Sequence, residues 1–317
     1  MIIINLILFL ASLFILIQCA EYAIKYSSRL AKILRFPEFI VSFFIIALIS
    51  VLPEATVSII SAFNGEPEMG LGTLLGSNVA DLTLVFGIVA LFSSRGIKVK
   101  SKILRNDFYY LILLLFPLIL GFDGRFSRID GLILVLIGLL FFVKTYFESN
   151  KFHKQFSPAK RKPFLKSILF LILSLGILLI SAFFTVRFAV NFASEAKLPA
   201  MLIGITIIAL GTCLPELIFS IKAVKKNHDS LALGDILGTV ITDATIILGL
   251  VALISPFSYN PYNIYITGTA MFLAGVFVIF FMKSEKSISK WEGFLLILFY
   301  ILFVFVEFFV NNVLGLK

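Results

Sequence analysis

Long runs of Val, Ile, Leu, Phe and Ala alternate along this chain with short polar connections. Ten such runs are found, near 2–20, 39–62, 70–91, 107–122, 130–147, 164–185, 200–221, 231–254, 263–282 and 291–309. A bilayer core of about 30 Å takes roughly 17–25 apolar residues per helix, so each run is read as one transmembrane helix. The longest connection, 148–166, leaves no room for an attached extramembrane domain. The pattern predicts an all-α polytopic membrane protein with ten transmembrane helices.

Two of the runs carry the same interruption. SVLPEATVS (50–58) and TCLPELIFS (212–220) each set a helix-breaking proline beside a carboxylate in an apolar stretch. Adding 162 to a residue number in the first half lands on its counterpart: Pro37 on Pro199, Ala47 on Ala209, Ser50 on Thr212, Pro53 on Pro215 and Glu54 on Glu216. The same offset takes Gly72 to Gly234, Gly76 to Gly238, Ser77 to Thr239, Asp81 to Asp243 and Gly87 to Gly249, with no gap. Matched Pro, Glu, Asp and Gly at one offset are not a product of apolar bias. The offset crosses five runs, an odd number, so the copies enter the membrane from opposite sides. Inverted repeats place a substrate site near the midplane of secondary transporters. The expected organisation is a five-helix repeat over 1–147, a basic linker over 148–163 and a second five-helix repeat over 164–317.

Composition and charge narrow the class. The chain is 60% hydrophobic with mean hydropathy +1.07, too apolar to cover a soluble body of 317 residues. Its +9 charge is a matter of topology and not of nucleic-acid binding: the odd-numbered connections hold 22 of the 27 Lys and Arg and the even-numbered ones four, Lys317 being the last. By the positive-inside rule the odd connections are cytoplasmic and both termini lie outside. The basic stretch at 148–166 reads as a cytoplasmic linker, with His153 in it and His228 elsewhere solvated. The N-terminus lacks a basic n-region and a cleavage site, so it reads as a retained helix. Cys19 and Cys213 both fall in apolar runs and suggest neither a disulfide nor a thiolate metal site.

The chemistry lies in four intramembrane acids, Glu54, Asp81, Glu216 and Asp243. An ionised acid at a helix centre costs roughly 2.5–3.5 kcal/mol, so four cost on the order of 10 kcal/mol and are functional candidates by default. Each has a hydroxyl four positions earlier, Ser50, Ser77, Thr212 and Thr239, on the same helix face. Pro53 and Pro215 have no N–H for the carbonyls of Ile49 and Gly211, which adds bare oxygens. Carboxylates, hydroxyls and carbonyls together suit Ca²⁺, which takes six to eight oxygens at about 2.3–2.6 Å, and not zinc or copper. Four ionised acids around one Ca²⁺ leave a charge of −2, so cation binding is coupled to protonation or to further cations. Asp235 stands open: it either begins a helix and stabilises its N–H groups or joins the acids, although its counterpart is Thr73. Glu307, in FVFVEFFV, reads as interfacial or snorkelling.

ALISVLPEATVS with LGTLLGSNVADLTLVFG, and ALGTCLPELIFS with LGDILGTVITDATIILG, resemble the two α-repeats of the calcium/cation antiporter superfamily. The nearest branch is that of the prokaryotic sodium/calcium exchangers, whose motifs run G-T/S-S-L-P-E and G-N-x-x-G-S-N. The resemblance implies that Glu54 and Glu216 bind Ca²⁺ with Ser50, Thr212 and their backbones. Ser77, Asp81, Thr239 and Asp243 complete the set, and Ala47 and Ala209 stand with it. Three departures bear on the counter-ion: Ile49 replaces a Gly, Val51 and Cys213 replace the serine before L-P-E, and Asp81 replaces a common Asn. They thin the sodium sites. The expectation is an antiporter of the inner or plasma membrane that exchanges Ca²⁺ for monovalent cations, Na⁺ favoured and H⁺ the alternative. No cofactor and no nucleic acid are expected. A cation channel built on the same acids is a further reading, but an inverted repeat favours a carrier. An intramembrane aspartyl protease is another: LALGDIL (231–237) resembles G-x-G-D, but the first Gly is Ala232 and no Tyr-Asp pair precedes it.

Overall fold

The computed structural model describes residues 2–33, 47–99, 107–149, 164–196, 200–284 and 286–313. Pro37, Pro199, His153 and most of the basic linker lie outside the described residues. The first half contains α1 (Ile2–Ile33), α2 (Leu52–Phe63), α3 (Pro67–Phe92), α4 (Asp107–Leu120) and α5 (Arg128–Ser149). The second contains α6 (Phe164–Ala196), α7 (Leu214–Lys225), α8 (Asp229–Ile254), α9 (Ile264–Ser284) and α10 (Lys290–Val313). A short helix, Ala47–Ser50, leads into α2, and the segment Gly204–Thr212 leads into α7. Among the described residues six helices are long and apolar enough to cross a membrane, or seven if Gly204–Thr212 and α7, bent by 41°, count as one span. The helical segments fall on the predicted runs.

Burial separates an inner layer from an outer one. α3 and α8 are each 83% buried, whereas the apolar windows of α1, α6 and α10 are a third buried or less. The outer helices turn large side chains such as Leu140, Ile172, Phe280 and Phe305 outward. Such a shell is untenable in water and natural in lipid. α1 and α6 pack along each other, tied by a 3.2 Å contact from the Thr185 hydroxyl to Ser12.

Contacts across the halves come in pairs that exchange under the 162-residue offset. A Cβ on Gly87 would lie 2.5 Å from the carbonyl oxygen of Gly293, and one on Gly249 would lie 2.7 Å from that of Gly131. Only glycine allows backbones this close. A similar exchange relates two small sheets. β1 (Ile97–Lys98) pairs antiparallel with β4 (Ser287–Ile288), and β2 (Arg125–Phe126) pairs with β3 (Phe257–Ser258). The offset is exact for β2 and β4 and two residues off for β1 and β3. α5 and α10 begin with matched capping boxes: the N–H of Ser127 donates to Asp130 at 2.8 Å and that of Ser289 to Glu292 at 2.7 Å.

One ion pair has no counterpart in this scheme. Arg95, after α3, meets the buried Asp229 at the start of α8 at 3.0 Å.

Candidate cation-binding site

Both proline motifs break their helices at matched points. The breaks fall at Val51 (φ −67°, ψ −13°) and Cys213 (φ −75°, ψ −6°), and Pro53 and Pro215 become the second residues of α2 and α7. There the missing N–H costs nothing, because first-turn N–H groups have no helical acceptor. Glu54 and Glu216 thus stand in the first turns of their helices, deep inside the molecule.

α3 and α8 widen where they deliver their acids. A π-helical turn spans Asp81–Val85 in α3 and Thr242–Ile247 in α8. Thr83 and Thr245 bond back to the carbonyls of Val79 and Ile241, which fixes the widened turns. π-turns of this kind recur at functional sites because they rotate one side chain out of register. A Cβ on Gly76 would come within 2.5 Å of the Ile205 carbonyl oxygen, so α3 lies directly against the segment that leads into α7.

All eight predicted acids and hydroxyls are fully buried: Glu54, Asp81, Glu216, Asp243, Ser50, Ser77, Thr212 and Thr239 each have zero exposure. The carboxylates feel one another's charge, Glu54 acting on Asp81, Glu216 and Asp243. Both oxygens of Glu54, Asp81 and Glu216, one of Asp243 and one of Asp235 have no hydrogen-bond donor. The ion pairs among the described residues all lie elsewhere. Leaving even a neutral buried acceptor unpaired costs about 1–3 kcal/mol, and a charged one more. The arrangement calls for cations.

Two hydroxyls reach acids of the other half while also facing carbonyls of their own helices, Ser50 that of Ala47 at 3.2 Å and Ser77 that of Leu74 at 3.1 Å. Ser50 donates to Asp235 at 3.0 Å and lies 3.0 Å from Thr239, while Ser77 makes a long 3.4 Å contact with Asp243. Thr212 faces Glu54 but donates to its own helix, where the carbonyls of Ile208 and Ala209 lie at 3.1 and 3.2 Å. Ala47 and Ala209 are buried, but neither carbonyl is bare. Ala47 accepts the N–H of Val51 at 3.0 Å and Ala209 that of Cys213 at 3.1 Å. Cys213 directs its thiol toward the Ser77 carbonyl at 3.6 Å. Among the described residues no three acids converge closely enough to close on a metal ion by themselves. A single ion here draws on hydroxyl or carbonyl oxygens as well as carboxylates.

The structure decides between the two readings left open for Asp235 and corrects that of Glu307. Asp235 does not begin a helix; α8 starts two turns earlier at Asp229, and Asp235 sits in the charged interior beside Ser50. Its repeat counterpart is Thr73, so the matching that reveals the other acids passes over it. Glu307 is not interfacial: it is fully buried and accepts a hydrogen bond from Thr267. Asn78 was also passed over, because its counterpart is Val240. Its amide reaches Met271 at 3.5 Å and its carbonyl oxygen has no donor.

The profile of the family described as "Sodium/calcium exchanger protein" matches residues 4–147 and 166–309, two stretches that begin 162 residues apart. The sodium/calcium exchanger MaX1 of Methanosarcina acetivorans is 27% identical, over 98% of this chain and 100% of its own length. The inner membrane protein YrbG of Escherichia coli is 30% identical, over 80% and 81%. Among solved structures, the sodium-calcium exchanger NCX_Mj, soaked with Na⁺ and Sr²⁺, superposes with a TM-score of 0.70 at 26% identity, covering 95% of this chain and 98% of that one. The chain is a multi-pass membrane transporter and not an enzyme, and it belongs to the sodium/calcium exchanger family, in the prokaryotic branch of the calcium/cation antiporters.

Proposed function

We propose that this protein exchanges Ca²⁺ for Na⁺ across the cell membrane by alternating access, with Glu54 and Glu216 sharing the divalent ion. The observation that carries this reading is the buried set of carboxylate oxygens without donors, contributed by both halves. A fixed negative charge in a dry interior is tolerable only when cations offset it. One Ca²⁺ and several monovalent ions are alternative ways to offset it. Occupancy by one therefore excludes the other, and exchange follows.

The ten-helix plan with two oppositely oriented repeats belongs to the same proposal. It is supported by the exchanging glycine contacts, the paired sheets and the matched capping boxes. With the pseudo-twofold between Glu54 and Glu216, rocking one repeat against the other exposes the same ion to either side. The basic connections put both termini outside the cytoplasm. Proton coupling is the second reading, favoured by Val51 and Cys213, both buried, at positions where a serine would give a sodium ligand.

Reconstituted protein separates the two. Proteoliposomes loaded with ⁴⁵Ca²⁺ are expected to release it down an inward Na⁺ gradient. Release under a pH gradient but not a Na⁺ gradient would replace sodium with the proton.

A further inference from the structure

Asp235 lies outside the matched acids, and its bare oxygen is assigned to no ion in the exchange as proposed so far. Its counterpart Thr73 is neutral and turns its hydroxyl onto its own helix, to the Met69 carbonyl at 2.9 Å. Asp235 has zero exposure, and the described ion pairs do not include it. A short chain of hydroxyls reaches it: Thr239 and Ser50 are 3.0 Å apart, and Ser50 is 3.0 Å from Asp235 Oδ1. A serine hydroxyl has one proton. The Ala47 carbonyl lies near Ser50 too, at 3.2 Å, but Asp235 is closer and charged. With the proton given to Asp235, Thr239 is the donor to Ser50, which leaves one lone pair open on Ser50 and two on Thr239. Asp235 Oδ2 is buried and has no donor. One orphaned carboxylate oxygen with two hydroxyl oxygens beside it is a small, hard-oxygen pocket carrying one negative charge.

We propose that Asp235, Ser50 and Thr239 form an additional site for a small monovalent cation, Na⁺ being the reference ion, filled when Na⁺ replaces the Ca²⁺ at the neighbouring Glu54 and Glu216. The inference rests on reading the interior as a cation-exchange site. Charge selects the valence. One carboxylate and two neutral hydroxyls balance a single positive charge, whereas a divalent ion is balanced by a pair of acids such as Glu54 and Glu216. The first half has no equivalent, because Thr73 brings no charge. Monovalent ions therefore load unevenly about the pseudo-twofold, and this chain holds one more of them than four matched acids account for.

The test is equilibrium ²²Na⁺ binding to the purified full-length protein, wild type against Asp235→Asn, a near-isosteric change that removes the charge. Asp235→Asn is expected to bind one Na⁺ fewer per protein. The Na⁺ concentration that half-displaces Ca²⁺ should rise about tenfold, the scale of one charged contact. Half-saturation by Ca²⁺ without Na⁺ should stay within about twofold. Ser50→Ala, which removes the hydroxyl donor, is expected to weaken Na⁺ binding without lowering the count. An equal Na⁺ count in wild type and Asp235→Asn overturns the site. So does a large loss of Ca²⁺ affinity at an unchanged Na⁺ count, which would assign Asp235 to the divalent ion. If the Na⁺ counts differ but the wild type fails to exchange Ca²⁺ for Na⁺ in proteoliposomes, the exchange reading fails and the site stands.

Discussion

The two halves share their breaks and their acids, yet they differ in how the charge is held. In the first half Glu54 and Asp81 have no hydrogen-bond donor on any carboxylate oxygen. In the second half Glu216 is equally bare, but Asp243 and Asp235 each accept a hydroxyl, from Ser77 and Ser50 of the first half. At the acids the hydroxyls come from one side: Ser50 and Ser77 of the first half donate to acids of the second, and among the described residues no hydroxyl of the second half donates to Glu54 or Asp81. An exact twofold would load its ions symmetrically. Here the proposed shared divalent position has polar surroundings that favour one side.

The sharpest way to break this comparison is to neutralise the matched glutamates. Glu54→Gln and Glu216→Gln are each expected to lower ⁴⁵Ca²⁺ flux in proteoliposomes more than a hundredfold while preserving membrane expression, since each removes a ligand that one ion shares. Near-normal flux in either would end the equivalence. Next in size is the effect of Ca²⁺ on stability. A ligand at a hundred times its Kd stabilises the folded state by about 2.7 kcal/mol. Thermal unfolding of the wild type should therefore shift upward with saturating Ca²⁺, and that of Glu54→Gln should not. Without cations, Asp81→Asn is expected to melt above the wild type, because it relieves repulsion at a carboxylate that nothing donates to.

Smaller effects are expected away from the acids. Gly76→Val pushes α3 off the Ile205 backbone and should cost about 1–3 kcal/mol by overpacking, read as a lower melting temperature with the ion selectivity kept. Smallest of all is Glu307→Gln. With Thr267 still able to hydrogen-bond the amide, Ca²⁺ half-saturation should stay within about twofold of wild type. A larger change would draw this acid into the transport cycle and spoil the contrast with the matched set.

Much of this arrangement is legible in the residues themselves. The helical segments overlap the apolar runs, although α1 and α6 run past theirs and α4 is shorter than a full span. Pro53 and Pro215 mark the breaks, which fall two residues earlier because proline is tolerated in a first turn. Glu54, Asp81, Glu216 and Asp243 are found by the repeat. The same reasoning leaves Asp235 undecided and hides Asn78, whose counterparts Thr73 and Val240 share neither charge nor amide. Helical spacing places the hydroxyls but does not name their partners: Ser50 meets Asp235 across 185 residues, a contact created by packing the halves together. Glu307 misleads, since the Thr267 that satisfies it lies 40 residues away on another helix.

Equilibrium Ca²⁺ binding to the purified protein bears most directly on the claim that one ion is held jointly by the two halves. The account predicts that Glu54→Gln and Glu216→Gln each abolish that binding, and that the double variant is no worse than either single one. Two single variants that each keep part of the wild-type capacity, lost only in the double variant, would show two separate sites and contradict the shared ion.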